Sequence, residues 1–323
     1  MIFYCSSCLL YCLNQKILST NCILENTSVG RSGYTPENFC EIESCFFVRF
    51  ECFSGSGGVI YYSGGGNLMK IKSCVFNHCQ VGDQYEGGAI YFNSESFFMD
   101  SVCCFMCTAG WGHFSAIYST NNNSIYMSTL TKCSGLDIGY YPISLYSGYQ
   151  NIESTNISGN KANQISGFLM NNPKYGYCSF CTIWKSSSSQ SICMYFDKGK
   201  GLTTRTNIIS NNSPFDYGVV CVNGACEIYI KDSYFRNNSN TLFNAISGIL
   251  DISSCDINHE GKLTGGAVTL GENTSPGKSQ SLTLVHFNTY LCEGIHTVEK
   301  TKNQNSKAPF FKYLSIFLIN NYQ

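Results

Sequence analysis

A net charge of −1 over 323 residues, with only 13% of them charged, leaves no basic face, and no nucleic-acid partner is expected. The same length is enough for a large core, and 14% aromatic residues with so few charges suit buried ladders and stacked faces. Twenty cysteines and six Asn-x-Ser/Thr sequons (Asn26, Asn122, Asn156, Asn211, Asn237 and Asn273) lean toward the secretory route, although a chain rich in Asn, Ser and Thr also contains sequons by chance.

Taken in order, residues 1–13 are apolar but lack the basic n-region and small-residue cleavage site of a clear signal peptide. Residues 1–39 are therefore read as an irregular N-terminal segment or cap, or a weak signal peptide. Within them Cys22-Ile23-Leu24 is a degenerate copy of the repeat that follows, and Gly30, Gly33 and Pro36 mark a loop.

Residues 40–295 repeat. With Phe76 as the anchor, the equivalent positions are Phe47, Phe76, Phe105, Leu130, Ile157, Phe180, Ile208, Phe235, Ile257 and Phe287, spaced 22 to 30 residues apart and all large and apolar. Two residues earlier stand Cys45, Cys74, Cys103, Ser128, Thr155, Cys178, Thr206, Ser233, Cys255 and Val285, nine of ten being Cys, Ser or Thr. Five before the anchor the column is mostly aliphatic, as at Ile42, Ile71, Ile125, Ile152, Ile230, Ile252 and Leu282. Three after it come Cys79, Cys133, Asn160, Asn211 and Asn238. About twelve residues after the anchor a small-small-aliphatic signature recurs, as in Gly57-Gly58-Val59-Ile60, Gly87-Gly88-Ala89-Ile90 and Gly265-Gly266-Ala267-Val268.

No helical period runs through these columns. Positions −2 and 0 alternate as in a strand, and the steps from −5 to −2 and from 0 to +3 break the alternation by one residue, so the chain must bend there. Three short strands per unit make one coil of an all-β, single-stranded parallel β-helix of about ten coils, stacked roughly 4.8 Å apart and right-handed by the usual crossover rule. Each column then becomes a ladder of like residues: small Cys, Ser and Thr at a corner, Asn bonded to its copies, Gly-Gly-Ala where the backbone turns closely. A leucine-rich horseshoe would need a different spacing of leucines. The remaining residues, 296–323, read as a polar tail and a short apolar C-terminal segment; Ala308 to Ile319 is too short and interrupted to span a membrane as a helix.

Gly87-Gly88-Ala89-Ile90 and Gly265-Gly266-Ala267-Val268, alternating with Phe235-Arg236-Asn237-Asn238 and its aliphatic versions at Ile157-Ser158-Gly159-Asn160 and Ile208-Ile209-Ser210-Asn211, resemble the GGA[ILV]/FxxN repeats of the chlamydial polymorphic outer-membrane proteins. Similar Cys- and Asn-rich repeats occur in surface proteins of trichomonad parasites. The resemblance covers about residues 40–295 and implies a surface-exposed, adhesin-like protein whose partners are host-surface or extracellular proteins and glycans. The bacterial pattern continues into an outer-membrane barrel, for which this chain shows no following stretch; that favours the eukaryotic version.

Catalytic chemistry finds little support in the residues. Asp83, Asp137 and Asp216 share a column, but two and three coils apart, about 10 and 14 Å by the stacking rise. His78 and His259 share another column seven coils apart. The CxxC pairs Cys5/Cys8, Cys104/Cys107 and Cys178/Cys181 lie too far apart in the coil order to converge on one zinc ion. Cys103, Cys104 and Cys107, with Cys79 and Cys133, form the densest thiol neighbourhood, open to disulfide, metal or plain buried thiols. The reading is a non-enzymatic surface or secreted scaffold that binds through loops and exposed ladders, with no cofactor, no metal and no transmembrane span; the alternatives are a carbohydrate-active lyase or hydrolase and a purely structural stalk.

Overall fold

Alternation with two breaks per repeat leaves one way to bury the apolar columns: short strands that turn a corner after each break. The computed structural model describes residues 2–5, 8–11, 22–25, 39–43, 45–52, 54–134, 139–189, 192–212, 217–239, 241–257, 262–271, 274, 281–284 and 292. Every named element is a strand. Apart from the hairpin of Ile2–Cys5 with Cys8–Tyr11, all pairings between these strands are parallel, chiefly in a 13-stranded and a 10-stranded sheet. The chain is a parallel β-solenoid of about eight turns.

Each coil crosses three faces. The first carries Ile60–Ser63 and the second Leu68–Lys72; in later coils one long strand, such as Ile90–Asp100 or Ser115–Tyr126, bends across both. The third face is short and is represented by Val75–Asn77. Ahead of the regular coils, Cys22–Glu25 pairs with Cys45–Val48, placing Leu24 beside Phe47.

The two breaks are left-handed bends. Immediately before the third face, Ser73, Ser101, Met127, Ser154, Phe180, Arg205, Asp232 and Ser254 all have positive φ. Immediately after it, so do Arg49, His78, Met106, Lys132, Gly159, Lys185, Ser210 and Asn237. A non-glycine residue in this region costs roughly 1–2 kcal/mol. The bends persist because their amides continue the stacking: Ser73 N–H donates to Asp100 at 3.0 Å and His78 N–H to Phe105 at 2.9 Å.

The bends also explain the column of Cys, Ser and Thr. Ser128 Oγ donates to the Tyr126 carbonyl at 2.8 Å, Thr155 to Glu153 at 2.9 Å, Ser233 to Lys231 at 2.8 Å, and Cys74 Sγ to Lys72 at 3.1 Å. At Ser128, Thr155 and Ser233 the side chain adds a second bond to a carbonyl that already accepts the bend amide of the coil before it, as Tyr126 does from Ser101 N–H at 3.1 Å. The same oxygen or sulfur accepts the amide of the coil before it, as Ser233 Oγ does from Thr206 N–H at 3.2 Å.

Register corrects the expected columns in two coils. The anchors paired across the third face are Phe47, Phe76, Cys104, Leu130, Ile157, Ile183, Ile208, Phe235 and Ile257. Phe105 lies one residue beyond its coil's anchor and faces outward, under the Lys132 ammonium 5.4 Å from its ring. Phe180 is the bend residue itself, at φ 54°. The corner column accordingly holds Val102 and Cys181 where Cys103 and Cys178 were expected; Cys178 pairs with Ile152 on the second face, and Cys103 points out. Four consecutive apolar residues, Val102 to Phe105, offer two frames, and a one-residue slip exchanges inside for outside.

After Lys262–Leu270, the last described strand, Leu282 does not open a tenth coil. It lies against Asn207, and Cys292 is disulfide-bonded to Cys103. Val285 and Phe287, the expected tenth corner and anchor, lie outside the described residues.

Candidate functional site

The interior is apolar and stacked. Phe47 and Phe76 rings lie 4.9 Å apart and nearly parallel, and Tyr62 stacks on Phe92 at 5.5 Å. Gly87 and Gly88 admit the first face into this packing. Gly87 has φ +67°, and a Cβ on Gly88 would stand 2.1 Å from the His113 carbonyl oxygen of the next coil. Function must therefore come from what faces outward.

Exposed tyrosines gather on the second face. Tyr149 and Tyr175 are register partners, eight residues before the anchors Ile157 and Ile183. Tyr149 is 55% exposed and Tyr175 is 41% exposed. Tyr177, Leu202 and Tyr229 continue the next outward column, half-buried. Charged groups border them: Lys200 pairs with Glu227 at 2.5 Å, Glu227 accepts from the Tyr229 hydroxyl at 2.6 Å, and the Lys174 ammonium lies 5.7 Å from the Tyr149 ring centre. Glu227 sits below its ordinary pKa because Lys200 hydrogen-bonds to it. The result is a tyrosine-rich strip on a parallel sheet. Alternation around Ile152 and Cys178 carries the signal for it: these point inward, so Tyr149 and Tyr175, three residues earlier, point out.

A second group sits on the first face. Tyr118 donates to Glu86 at 2.7 Å and stacks on Tyr146 at 4.3 Å, and Trp111 stacks on Tyr140 at 5.4 Å. Burial pushes the Tyr118, Tyr141 and Tyr146 hydroxyls up, with the neighbouring phenols and the Glu86 charge adding to the effect on Tyr118 and Tyr141. All three stay protonated at neutral pH. Because these rings face one another, they present edges outward and hold the coils in register.

Of the expected thiol neighbourhood, Cys79, Cys104, Cys107 and Cys133 are interior, whereas Cys103 points outward and is disulfide-bonded to Cys292. Cys104 and Cys133 sulfurs approach to 3.3 Å, and burial raises the pKa of Cys104, Cys107 and Cys133. Among the described residues no group of three or more His, Cys, Asp and Glu has a metal-binding arrangement. Asp83 is exposed, and Asp137, Asp216 and His259 lie outside the described residues. Of the sequons, Asn122 and Asn237 are exposed, Asn156 and Asn211 are buried, and Asn26 and Asn273 lie outside the described residues.

No protein family, curated protein or solved structure matches the chain. Among the described residues no helix is long and apolar enough to cross a membrane.

Proposed function

We propose that this protein is a non-enzymatic binding scaffold, displayed on a surface or secreted, whose second face holds extracellular molecules, glycans first. The observation that carries this reading is the outward strip of Tyr149 and Tyr175 with Tyr177 beside them. Tyrosine combines apolar area with a hydroxyl, and grouped exposed rings on a sheet are how proteins present a contact surface. The stacked coils supply rigidity, so little order has to be created on binding. The repeat resemblance to bacterial and trichomonad surface proteins points the same way, as do the exposed sequons at Asn122 and Asn237.

The test is binding of the purified chain to glycan arrays and to host cells, with the double variant Tyr149→Ser/Tyr175→Ser beside it. Loss of at least about tenfold in affinity at unchanged thermal stability is expected. Binding that the double variant leaves intact, or none at all, removes the reading.

A further inference from the structure

An exposed sequon stands at the end of the tyrosine strip. Asn122, Tyr149 and Tyr175 are consecutive register partners in one outward column of the second face. Neighbouring strands lie about 4.8 Å apart, so the outer two positions are separated by about 10 Å. Asn122 is exposed, and its side-chain amide makes no hydrogen bond among the described residues. Its neighbour in sequence shows the contrast: Asn123 is 1% exposed and its Nδ2 donates inward to the Ser147 carbonyl at 3.2 Å. On the other side of Asn122 the column holds Ser96, which offers little apolar surface. A sugar on Asn122 therefore meets aromatic surface in one direction along the sheet, toward Tyr149. The remaining sequons on described residues lack this setting. Asn156 and Asn211 are buried, and Asn237 occupies a bend whose equivalent in the coil before is Ser210.

We propose that an N-linked glycan on Asn122 lies along Tyr149 and Tyr175 and gates the strip. The inference rests on the reading of that strip as a glycan-binding surface. Attachment is a group transfer from a polyprenyl-diphosphate oligosaccharide. Asn122 Nδ2 attacks the anomeric carbon of the first sugar. The C–O bond to the diphosphate breaks as the C–N bond forms, and one amide proton leaves with the released lipid diphosphate. The C–H faces of the first sugars then cover the tyrosine rings, whose hydroxyls stay in water. Tethering gives the glycan an effective concentration of about millimolar, so contacts too weak to retain a free sugar still keep the strip covered. A free glycan must find the strip uncovered, and its apparent affinity falls by the uncovered fraction.

The experiment uses the full chain secreted from a glycosylating host. Beside it stand Ser124→Ala, which removes the Asn122 sequon, and Ser239→Ala, which removes that of Asn237. Melting curves confirm that each variant is folded. Glycopeptide mapping is expected to find a glycan on Asn122. Hydroxyl-radical footprinting should find Tyr149 at least about threefold more reactive in Ser124→Ala than in the glycosylated chain. On glycan arrays and host cells Ser124→Ala should bind at least about threefold more tightly, whereas Ser239→Ala should match the parent in both assays. Treating the folded parent with an N-glycosidase should reproduce the changes seen in Ser124→Ala. An Asn122 without glycan, a Tyr149 equally reactive with and without it, or binding that Ser124→Ala leaves unchanged overturns the gate. None of these touches the strip's own binding, which Tyr149→Ser/Tyr175→Ser judges separately. If Ser124→Ala binds no glycan and no cell, the gate falls together with the reading it rests on.

Discussion

Replacing Asn211 by Ala tests the claim that polar columns hold adjacent coils together. Asn211 is 2% exposed and connects three coils. Its Oδ1 accepts the Ser186 amide at 3.0 Å, and its Nδ2 donates to the Ile183 carbonyl at 2.9 Å and approaches Asn238 Oδ1 at 3.2 Å. Alanine leaves the buried Ser186 N–H without its acceptor, at about 1–3 kcal/mol, and removes a bond to the Ile183 carbonyl worth about 0.5–1.5 kcal/mol. The expected loss is about 2–4 kcal/mol, large against the stability of a whole domain. Urea unfolding followed by circular dichroism reads the total, and amide exchange at Ser186 reads the local opening. Asn238→Ala, which removes the oxygen that accepts Asn211 N–H at 3.0 Å, should combine with it non-additively, since the two side chains touch. A loss below about 0.5 kcal/mol, the size of an ordinary surface change, would refute the reasoning and leave the column as packing alone.

Gly88→Ala drives a Cβ into the His113 carbonyl, whereas Gly65→Ala meets nothing within 4 Å; a melting curve should show the first strongly destabilised and the second unchanged. His113 is buried and neutral, its pKa lowered from 6.5 to about 4 by burial, so the unfolded chain takes up the proton first as pH falls. Stability should then drop by about 3 kcal/mol between pH 6.5 and 4 and no further below, a dependence that His113→Gln abolishes in denaturation series run across pH. Burial raises the Cys104, Cys133 and Cys255 thiols, and the hydrogen bond with Cys181 together with burial raises Cys178, so these four should resist alkylation at pH 8 in native protein and react in urea. Expression in a secretory host followed by glycopeptide mapping should find glycans at Asn122 and Asn237; a glycan at Asn156 or Asn211 in folded protein would contradict the closed coil.

Much of this architecture was legible in the residues because a solenoid writes one coil's chemistry many times. The bends at −3 and +2 from the anchor, the Cys/Ser/Thr corner and the Asn column are each local demands repeated per coil, so the columns at Phe47, Phe76, Leu130, Ile157, Ile208, Phe235 and Ile257 can be read without coordinates. The tyrosine strip was legible in principle, from the outward phase of alternation, but its exposure required knowing that no described strand covers the second face there. Where a coil offered two apolar frames, local pattern could not choose. Cys104 and Ile183 take the anchor positions that Phe105 and Phe180 seemed to fill, because pairing with the coils on both sides sets the phase. The outward turn of Cys103 follows from that phase, and so does its bond to Cys292. Contacts between Asn207 and Leu282, 75 residues apart, and between Cys103 and Cys292, 189 apart, depend on where the chain goes after its last described strand. That path belongs to the tertiary structure, because no repeat encodes it.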